Sequence, residues 1–450
     1  MCRSFFSPVR LFILFAFLLS AFWGGVRSVS PLAAQETAQA TIPVANTAYL
    51  PIVEYGRWPA LKIAADFGHM TTLPDVMETD YPLVQELGGD WIRVWLSWAE
   101  IETAPGEYNW SVYDGVINRM AELGIEPLVL IYNIPAWAAA NPCGPITNND
   151  AVTSFAAALV DRYGDRVDAW EFLNEPDSFE PHPYGAYIGC WGNYGSEYAA
   201  SLTAFYMAVK TRQPNDLVFF GGLAYDNWSV FNRAFFADAL AAGAGDYFDG
   251  LSFHFYPINV EDFPSVRDKT EELRATMAEY GVTGKRMWIT ETSMWANDPN
   301  LGLEGQREFI VKEWTRAACA GVDNLFWFAI RDDPAYEETF ERWLIDADHN
   351  FANAYDTFQH YAGRVKGGYC FGSMAGQPDN LEAYQFDTDA GPVIIAWSTA
   401  DESAALTFEA DGPRMLLDRE GNLIETLTPV DGTISVTIDA QAKFIVDSAE

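Results

Sequence analysis

Two apolar stretches of the chain end in carboxylates. WEFLNEPD, residues 170–177, carries Glu171, Glu175 and Asp177, and MWITETSMW, residues 287–295, carries Glu291. Two carboxylates facing each other across a cleft are the equipment for splitting a glycosidic bond. One donates a proton to the departing oxygen, and the other attacks the anomeric carbon or activates water. That chemistry calls for neither metal nor cofactor, and the sequence offers neither. Acids at 171 and 175 could also be ordinary neighbours on a helix surface. Pro176 and the apolar residues around them favour the end of a strand instead. Other groups suited to such a cleft are Arg93, the His254-Phe255-Tyr256 run, and several tryptophans, Trp98, Trp137, Trp295 and Trp327 among them.

A strand end needs a scaffold, and one repeats along the chain. Eight apolar runs recur from about residue 60: Leu61–Ala65, Trp91–Leu96, Pro127–Tyr132, Val167–Leu173, Leu217–Gly222, Gly250–Phe255, Met287–Thr290 and Asn324–Ile330. They are continuous rather than alternating, as expected of strands buried on both faces of a parallel sheet. Helical periodicity lies between them. Tyr113, Val116, Ile117, Met120 and Leu123 share one face, with Gly124 as the stop. Asn148 or Asn149 can cap the next helix, and a last helix falls near Phe351 to Val365. Eight such units predict a (β/α)8 barrel over 53–365. An open doubly wound sheet is the competitor, but the turn after Ala65, DFGHMTT, is not GxGxxG.

In a barrel the chemistry sits at the C-terminal strand ends. That rule brings Glu175, Glu291, Arg93, His254, Tyr256 and the tryptophans to one rim. With a period of two, Glu171, Leu173 and Glu175 point the same way, so Glu171 is expected deeper, as a buried structural acid paired with Lys62 or Arg93. Asp177 reads as a loop or capping acid. His69 and His182 could line the cleft by position alone.

The rest of the chain frames this core. The protein has 450 residues, 49% of them hydrophobic, and a formal charge of −36, which argues against a nucleic-acid partner. Arg3 and Arg10 precede an apolar run from Leu11 to Trp23, and Leu32-Ala33-Ala34 offers a small-residue cleavage site. Residues 1–34 therefore read as a secretory signal peptide, with an uncleaved anchor as the alternative, and a secreted protein is expected. Residues 35–52 read as a linker. After Lys366-Gly367-Gly368 short alternating strands are punctuated by Asp411-Gly412, Glu420-Gly421 and Asp431-Gly432, which predicts a β-sandwich over 366–450. Export permits disulfides. Cys319 and Cys370 flank the domain junction, and Cys143 and Cys190 follow the third and fourth strands; these are the expected pairs, with four free thiols as the alternative.

The site residues carry a family resemblance. WEFLNEPD resembles the acid/base motif of clan A glycoside hydrolases, in which Asn-Glu-Pro ends the fourth barrel strand, and WITET resembles the clan's nucleophile strand. WIRVWLSWAEIETAPGEYNW and GIEPLVLIYNIPAWA are similar to the early barrel of family 39 and family 5 enzymes. The resemblance spans about residues 60–365. It implies a retaining β-glycosidase with Glu175 as general acid/base and Glu291 as nucleophile. It implies further that Asn174 holds the sugar 2-hydroxyl, that Arg93 keeps the nucleophile ionised, and that His254 and Tyr256 lie beside it. Trp327 would floor the first sugar subsite. Tyr132-Asn133 stands where family 5 members frequently have a His, which leaves the family open.

Two other readings compete. A non-catalytic carbohydrate-binding barrel predicts loss of one catalytic carboxylate, yet both are present. A metal-dependent barrel hydrolase predicts His or Asp ligands in HxH-like spacing, which the five scattered histidines do not provide. Loops 138–150 and 178–195 are long enough to wall one side of the cleft.

Overall fold

The computed structural model describes residues 60–139, 145–179, 190–227, 229–257, 263–333 and 341–448. The expected signal peptide and linker, Cys143 and His182 lie outside the described residues.

Eight parallel strands close into a barrel: β1 (Lys62–Asp66), β2 (Trp91–Ser97), β3 (Glu126–Tyr132), β4 (Ala169–Asn174), β5 (Leu217–Leu223), β6 (Gly250–Phe255), β7 (Arg286–Thr292) and β8 (Asn324–Phe328). Each is followed by a helix: α1 (Tyr81–Glu86), α2 (Ser111–Leu123), α3 (Asn149–Tyr163), α4 (Gly195–Arg212), α5 (Ala234–Ala241), α6 (Val266–Glu279), α7 (Gly302–Cys319) and α8 (Tyr355–Val365). The chain is therefore a (β/α)8 barrel. Local sequence explains its punctuation. Tyr113, Val116, Ile117 and Met120 are buried along α2, and Gly124 ends it in a left-handed conformation. The side chain of Asn148 caps α3 by accepting from the amide of Asp150. A short hairpin pairing Glu102–Ala104 with Glu107–Tyr108 extends the loop after β2, and no periodicity announces strands so brief.

The barrel interior is built in three layers. The lowest is apolar, formed by Ala64, Trp91, Leu128, Ala169, Phe219, Trp288 and Phe326. Lys62 lies with its ammonium 4.3 Å from the Trp91 ring, at the end of the barrel away from the site, so it is not the expected partner of Glu171. The middle layer is charged and holds Asp66, Arg93 and Glu171, all fully buried. The uppermost is aromatic, with Trp95, Tyr132 and partly exposed Phe328 around Leu130. Inward residues on β1, β2 and β8 are two apart, as the strand period requires: 64 and 66, 91, 93 and 95, 326 and 328.

The tail forms two sheets. Strands β9 (Tyr369–Ser373), β10 (Leu381–Thr388), β11 (Gly391–Ser398), β13 (Arg414–Leu417), β14 (Leu423–Leu427) and β16 (Lys443–Asp447) make a six-stranded sheet in the order β9-β10-β11-β16-β13-β14. Strands β12 (Ala404–Glu409) and β15 (Thr433–Ile438) pair antiparallel across from it. Asp431 and Gly432 both have positive φ, the backbone that a two-residue turn before β15 demands. Leu381, Ala383, Leu406, Phe408, Ile434, Val436 and Ile445 fill the space between the sheets. The opposite face of the larger sheet presents Tyr384, Phe386, Trp397 and Phe444 to the barrel's outer core. Cys319 at the end of α7 is disulfide-bonded to Cys370 in β9, with a Cα–Cα distance of 5.1 Å. Cys190 is also disulfide-bonded.

Candidate active site

The middle layer is organised by one cation. Arg93, on β2, points into the barrel and is fully buried. Its Nε donates to Glu171 Oε2 at 2.7 Å, its Nη1 to Glu291 Oε1 at 2.6 Å and to Asp66 Oδ2 at 3.0 Å, and its Nη2 to Asn174 Oδ1 at 2.7 Å. The fork geometry of a guanidinium lets one side chain hold four groups from three other strands. Thr290 Oγ1 completes Glu171 by donating to Oε1 at 3.0 Å. Glu171 is thus the buried, paired acid expected from strand parity, with Arg93 as its partner.

The strand carrying the opening motif breaks its own period. Leu173 has φ of 69° and packs with the outer core, whereas Asn174 reaches inward to Arg93. Glu171, Leu173 and Glu175 therefore do not all face one way, as a regular strand would have them. Glu175 itself has φ of 41°, and its amide donates to the carbonyl of Gly222 on β5 at 2.8 Å. Left-handed backbone at Leu and Glu costs roughly 1–3 kcal/mol each and persists where surrounding contacts impose it. Here the effect is to turn a carboxylate at the strand end over the barrel axis. Gly222 is the matching concession on β5, because a Cβ there would lie 2.3 Å from His254 Nε2.

Glu175 and Glu291 meet through His254. His254 Nδ1 lies 3.0 Å from Glu175 Oε1 and 3.5 Å from Glu291 Oε2. Tyr256 OH donates to Glu291 Oε2 at 2.9 Å. One oxygen of each carboxylate and a ring nitrogen of His254 all lie within 4.8 Å of one another. Both oxygens of Glu291 are therefore hydrogen-bonded, one to a cation and one to a phenol. Among the described residues Glu175 has no such cation in contact. Burial, then the nearby Asp226 charge, push its pKa up to about 7, with Arg93 and Lys269 opposing. Burial pulls His254 down to about 4, so its imidazole is neutral at ordinary pH.

The aromatic expectations divide. Trp327 is fully buried on the outer side of β8, packed on Phe309, Trp314 and Phe358, with Nε1 donating to the carbonyl of Arg342 at 2.8 Å. It does not floor the cleft. Alternation along β8 sends Phe326 and Phe328 inward, and Phe328 is the strand-eight aromatic at the rim, stacked on Trp95. Trp137 is partly exposed, edge-on to Trp98, and its Nε1 donates to the carbonyl of Glu102 in the short hairpin at 2.9 Å. Trp98 is core, stacked on Phe155. Trp295 is partly buried against the outer core beyond β7. His69 is half-exposed, 3.4 Å from Asp333.

Besides Phe328, two site groups were missed. Asp66 ends β1 by the same rule that located Glu175, but DFG read as a turn. Trp95 lies two residues beyond Arg93 on the inward face, a signal that was available. Asp177 is indeed a capping acid: its carboxylate accepts from the amides of Ala224 at 3.2 Å and Tyr225 at 2.8 Å, fixing the loop after β5.

Comparisons with known proteins find likenesses of sequence and of fold. The family described as Glycosyl hydrolase family 1 matches residues 54–212. The 4-hydroxy-7-methoxy-3-oxo-3,4-dihydro-2H-1,4-benzoxazin-2-yl glucoside beta-D-glucosidase 1 of Zea mays is 32% identical over 121 residues, 24% of this chain and 21% of that protein. A phospho-cellobiase of Klebsiella oxytoca is 32% identical over 123 residues, 25% of each chain. The chain thus spans about a fifth to a quarter of the curated relatives it matches. In structure it is similar to a family 39 glycoside hydrolase from Bacteroides cellulosilyticus, with a TM-score of 0.66 at 20% identity, covering 86% of this chain and 81% of that one. A family 39 β-xylosidase of Caulobacter crescentus gives a TM-score of 0.60 at 14% identity, over 87% and 96% of the two chains. The likeness is thus to β-glucosidases over part of the sequence and to family 39 enzymes in fold, that of a (β/α)8 barrel.

Proposed function

We propose that the protein is a secreted retaining glycoside hydrolase that cleaves β-glycosidic bonds by double displacement. The observation that carries this is the approach of Glu175 and Glu291. One oxygen of each lies within 4.8 Å of the other, which fits the retaining spacing of about 5–5.5 Å better than the inverting spacing of about 6.5–9.5 Å.

The two environments divide the labour. Glu291, held by Arg93 and Tyr256, attacks the anomeric carbon as a carboxylate. Glu175, protonated below its pKa of about 7, gives its proton to the departing oxygen. A glycosyl ester then occupies Glu291, whose charge is gone. The proton affinity of Glu175 falls, and it accepts the proton of the incoming water, which displaces Glu291. Asn174, fixed by Arg93, presents its amide to the sugar 2-hydroxyl. Trp95 and Phe328 supply the apolar wall. The substrate is a carbohydrate and no cofactor takes part. The spacing of Glu175, His254 and Glu291 would also suit a metal ion. Arg93 argues against one, because a guanidinium already neutralises Glu291 and would repel a second cation.

The test is turnover of dinitrophenyl β-glucoside and β-xyloside by wild type, Glu175→Ala and Glu291→Ala. Both variants are expected to lose turnover by more than a hundredfold, with azide restoring Glu175→Ala as a β-glycosyl azide and chelator leaving wild type unchanged. Undiminished turnover in either variant, or an inverted product, refutes the reading. Secretion is tested separately, by the mass of the N-terminus recovered outside the cell, expected to follow residue 34.

A further inference from the structure

Asp66, like Glu171, is a carboxylate of the charged layer that the double displacement does not use. It is fully buried at the end of β1. Its Oδ1 accepts from the amide of Gly68 at 2.6 Å and from Trp95 Nε1 at 3.0 Å, and its Oδ2 accepts from Arg93 Nη1 at 3.0 Å. That nitrogen is also the donor to Glu291 Oε1. Asp66 and the nucleophile therefore hold the two hydrogens of one guanidinium nitrogen. The charges facing Asp66 are few. Arg93 comes from β2, Glu291 from β7 and Glu171 from β4 through the same guanidinium, with His254 and Tyr256 on the far side of Glu291. β8 contributes only Asn324, Phe326 and Phe328 to the interior, and the turn after β1 contributes an amide.

Resting on the reading of Glu291 as nucleophile, we propose that Asp66 is a positioning residue that exchanges charge with Glu291, holding Arg93 in place while the nucleophile is an ester. In the free enzyme one guanidinium faces three carboxylates, so full ionisation leaves uncompensated negative charge in a dry layer. Burial first, and the Glu291 charge after the opposing Arg93, raise Asp66 to about 7, so near neutral pH part of the resting enzyme carries it protonated. Ester formation removes the charge of Glu291. The ester carbonyl is a weak acceptor for Nη1, and Asp66, releasing its proton to solvent, becomes the anionic anchor on that side of Arg93. The guanidinium is then still aimed at Oε1 when water displaces Glu291 and its carboxylate re-forms. Through Trp95 Nε1 the same residue fixes the indole of the apolar wall.

The experiment compares wild type with Asp66→Asn, which keeps the side-chain shape and acceptors for Gly68 and Trp95 but carries no charge. With a dinitrophenyl β-glycoside the first step is fast, so loss of the anchor slows mainly ester hydrolysis. The expected results are a kcat reduced about tenfold or more, a pre-steady-state burst of dinitrophenol larger than that of wild type, and glycosyl-enzyme accumulating in the intact mass. Proton release on trapping with a fluoro-glycoside inactivator at pH 7 should also be smaller than in wild type. Trp95→Phe, which keeps the ring and removes one donor to Asp66, should change the burst in the same direction by less, and it decides the matter if Asp66→Asn does not fold. Equal loss in both steps with the burst amplitude unchanged, or unchanged proton release, overturns the role of Asp66 while leaving Glu291 in place. Absence of any covalent adduct in wild type overturns both.

Discussion

Arg93 and Arg419 each gather three carboxylates, and they do opposite things with them. Arg93 holds Asp66, Glu171 and Glu291 in the middle of the barrel, where the arginine, Asp66 and Glu171 are fully buried and Glu291 nearly so. Arg419, in the loop between β13 and β14, holds Glu304, Glu308 and Glu420 at the junction of α7 with the sandwich. There Glu304 remains 59% exposed, and the other two acids are partly wet. The number of carboxylates is alike, but Glu304 and Glu420 also reach Arg307, Glu308 also reaches Lys312, and access to water differs. In water an acid can keep its charge without a partner, so Arg419 is one contact among several that dock the sandwich. In the barrel each acid depends on the same buried cation, so removing it strands all three.

The difference is broken most severely by removing the buried cation. Arg93→Met leaves three carboxylates in a dry layer. The expected loss is about 3–5 kcal/mol of stability at neutral pH, together with a fall in kcat of more than a hundredfold, read by urea denaturation and by turnover. Lower pH should restore part of the stability, because protonation neutralises the stranded acids. A variant as stable as wild type at pH 7 would mean that the layer is wetter than its burial indicates.

Next in size is the staple at the other region. Cys319–Cys370 closes a loop of 51 residues, which corresponds to about 4 kcal/mol in the chain-entropy picture and to about 2–4 kcal/mol in practice. Cys319→Ser is expected to lower the denaturation midpoint by that much while leaving kcat/KM within about twofold, since the disulfide lies behind α7, away from the rim. A comparable fall in kcat/KM would show that the sandwich sets the barrel's active geometry.

How far all this could be read beforehand depended on local regularity. The eight strands were legible because each is a continuous apolar run, and the sandwich because turn pairs such as Asp431-Gly432 bracket alternating strands. Arg93, Asn174, Glu175, His254, Tyr256 and Glu291 are brought together because strand-end position in a closed barrel follows from strand count. Trp327 failed for a different reason: one residue of phase on β8 decides between cleft and helix layer, and the apolar run LFWF carries no polar marker of phase. Leu173 failed because a left-handed leucine is imposed by tertiary contacts and leaves no signature in residue type. Asp66 was hidden by a turn-like sequence, although its parity with Ala64 pointed inward.

A pH experiment sharpens the comparison within the barrel. Glu175 has a folded pKa of about 7, above the carboxylate's ordinary 4.5. The stability tied to its protonated form is present in full below the unfolded value and is lost as pH rises through about 7. Glu175→Gln, neutral at every pH, should therefore be more stable than wild type at pH 8 by on the order of 2 kcal/mol and no more stable at pH 4. The same ionisation sets the alkaline limb of activity, so wild-type kcat/KM should fall as pH rises through about 7. Equal stability of the two proteins at pH 8 would place the Glu175 proton elsewhere.

The smallest effect belongs to Arg419, and it is the one that decides whether the opening contrast is about burial or about charge number. If three carboxylates around one arginine were enough to create dependence, Arg419→Met would resemble Arg93→Met. If access to water decides, the released glutamates rehydrate and little is lost. Partly exposed ion pairs contribute about 0–1 kcal/mol each and are screened by salt. The interface keeps other contacts: Arg316 to Glu382 at 2.6 Å, the amide of Ala442 to Glu308 at 3.2 Å, and the apolar face of Tyr384, Phe386, Trp397 and Phe444. Arg419→Met is therefore expected to lose about 1 kcal/mol or less, with that loss shrinking further in half-molar salt and kcat/KM unchanged. A salt-independent loss of about 3 kcal/mol would mean that the junction is dry, and that the sandwich depends on its arginine as the barrel does on Arg93.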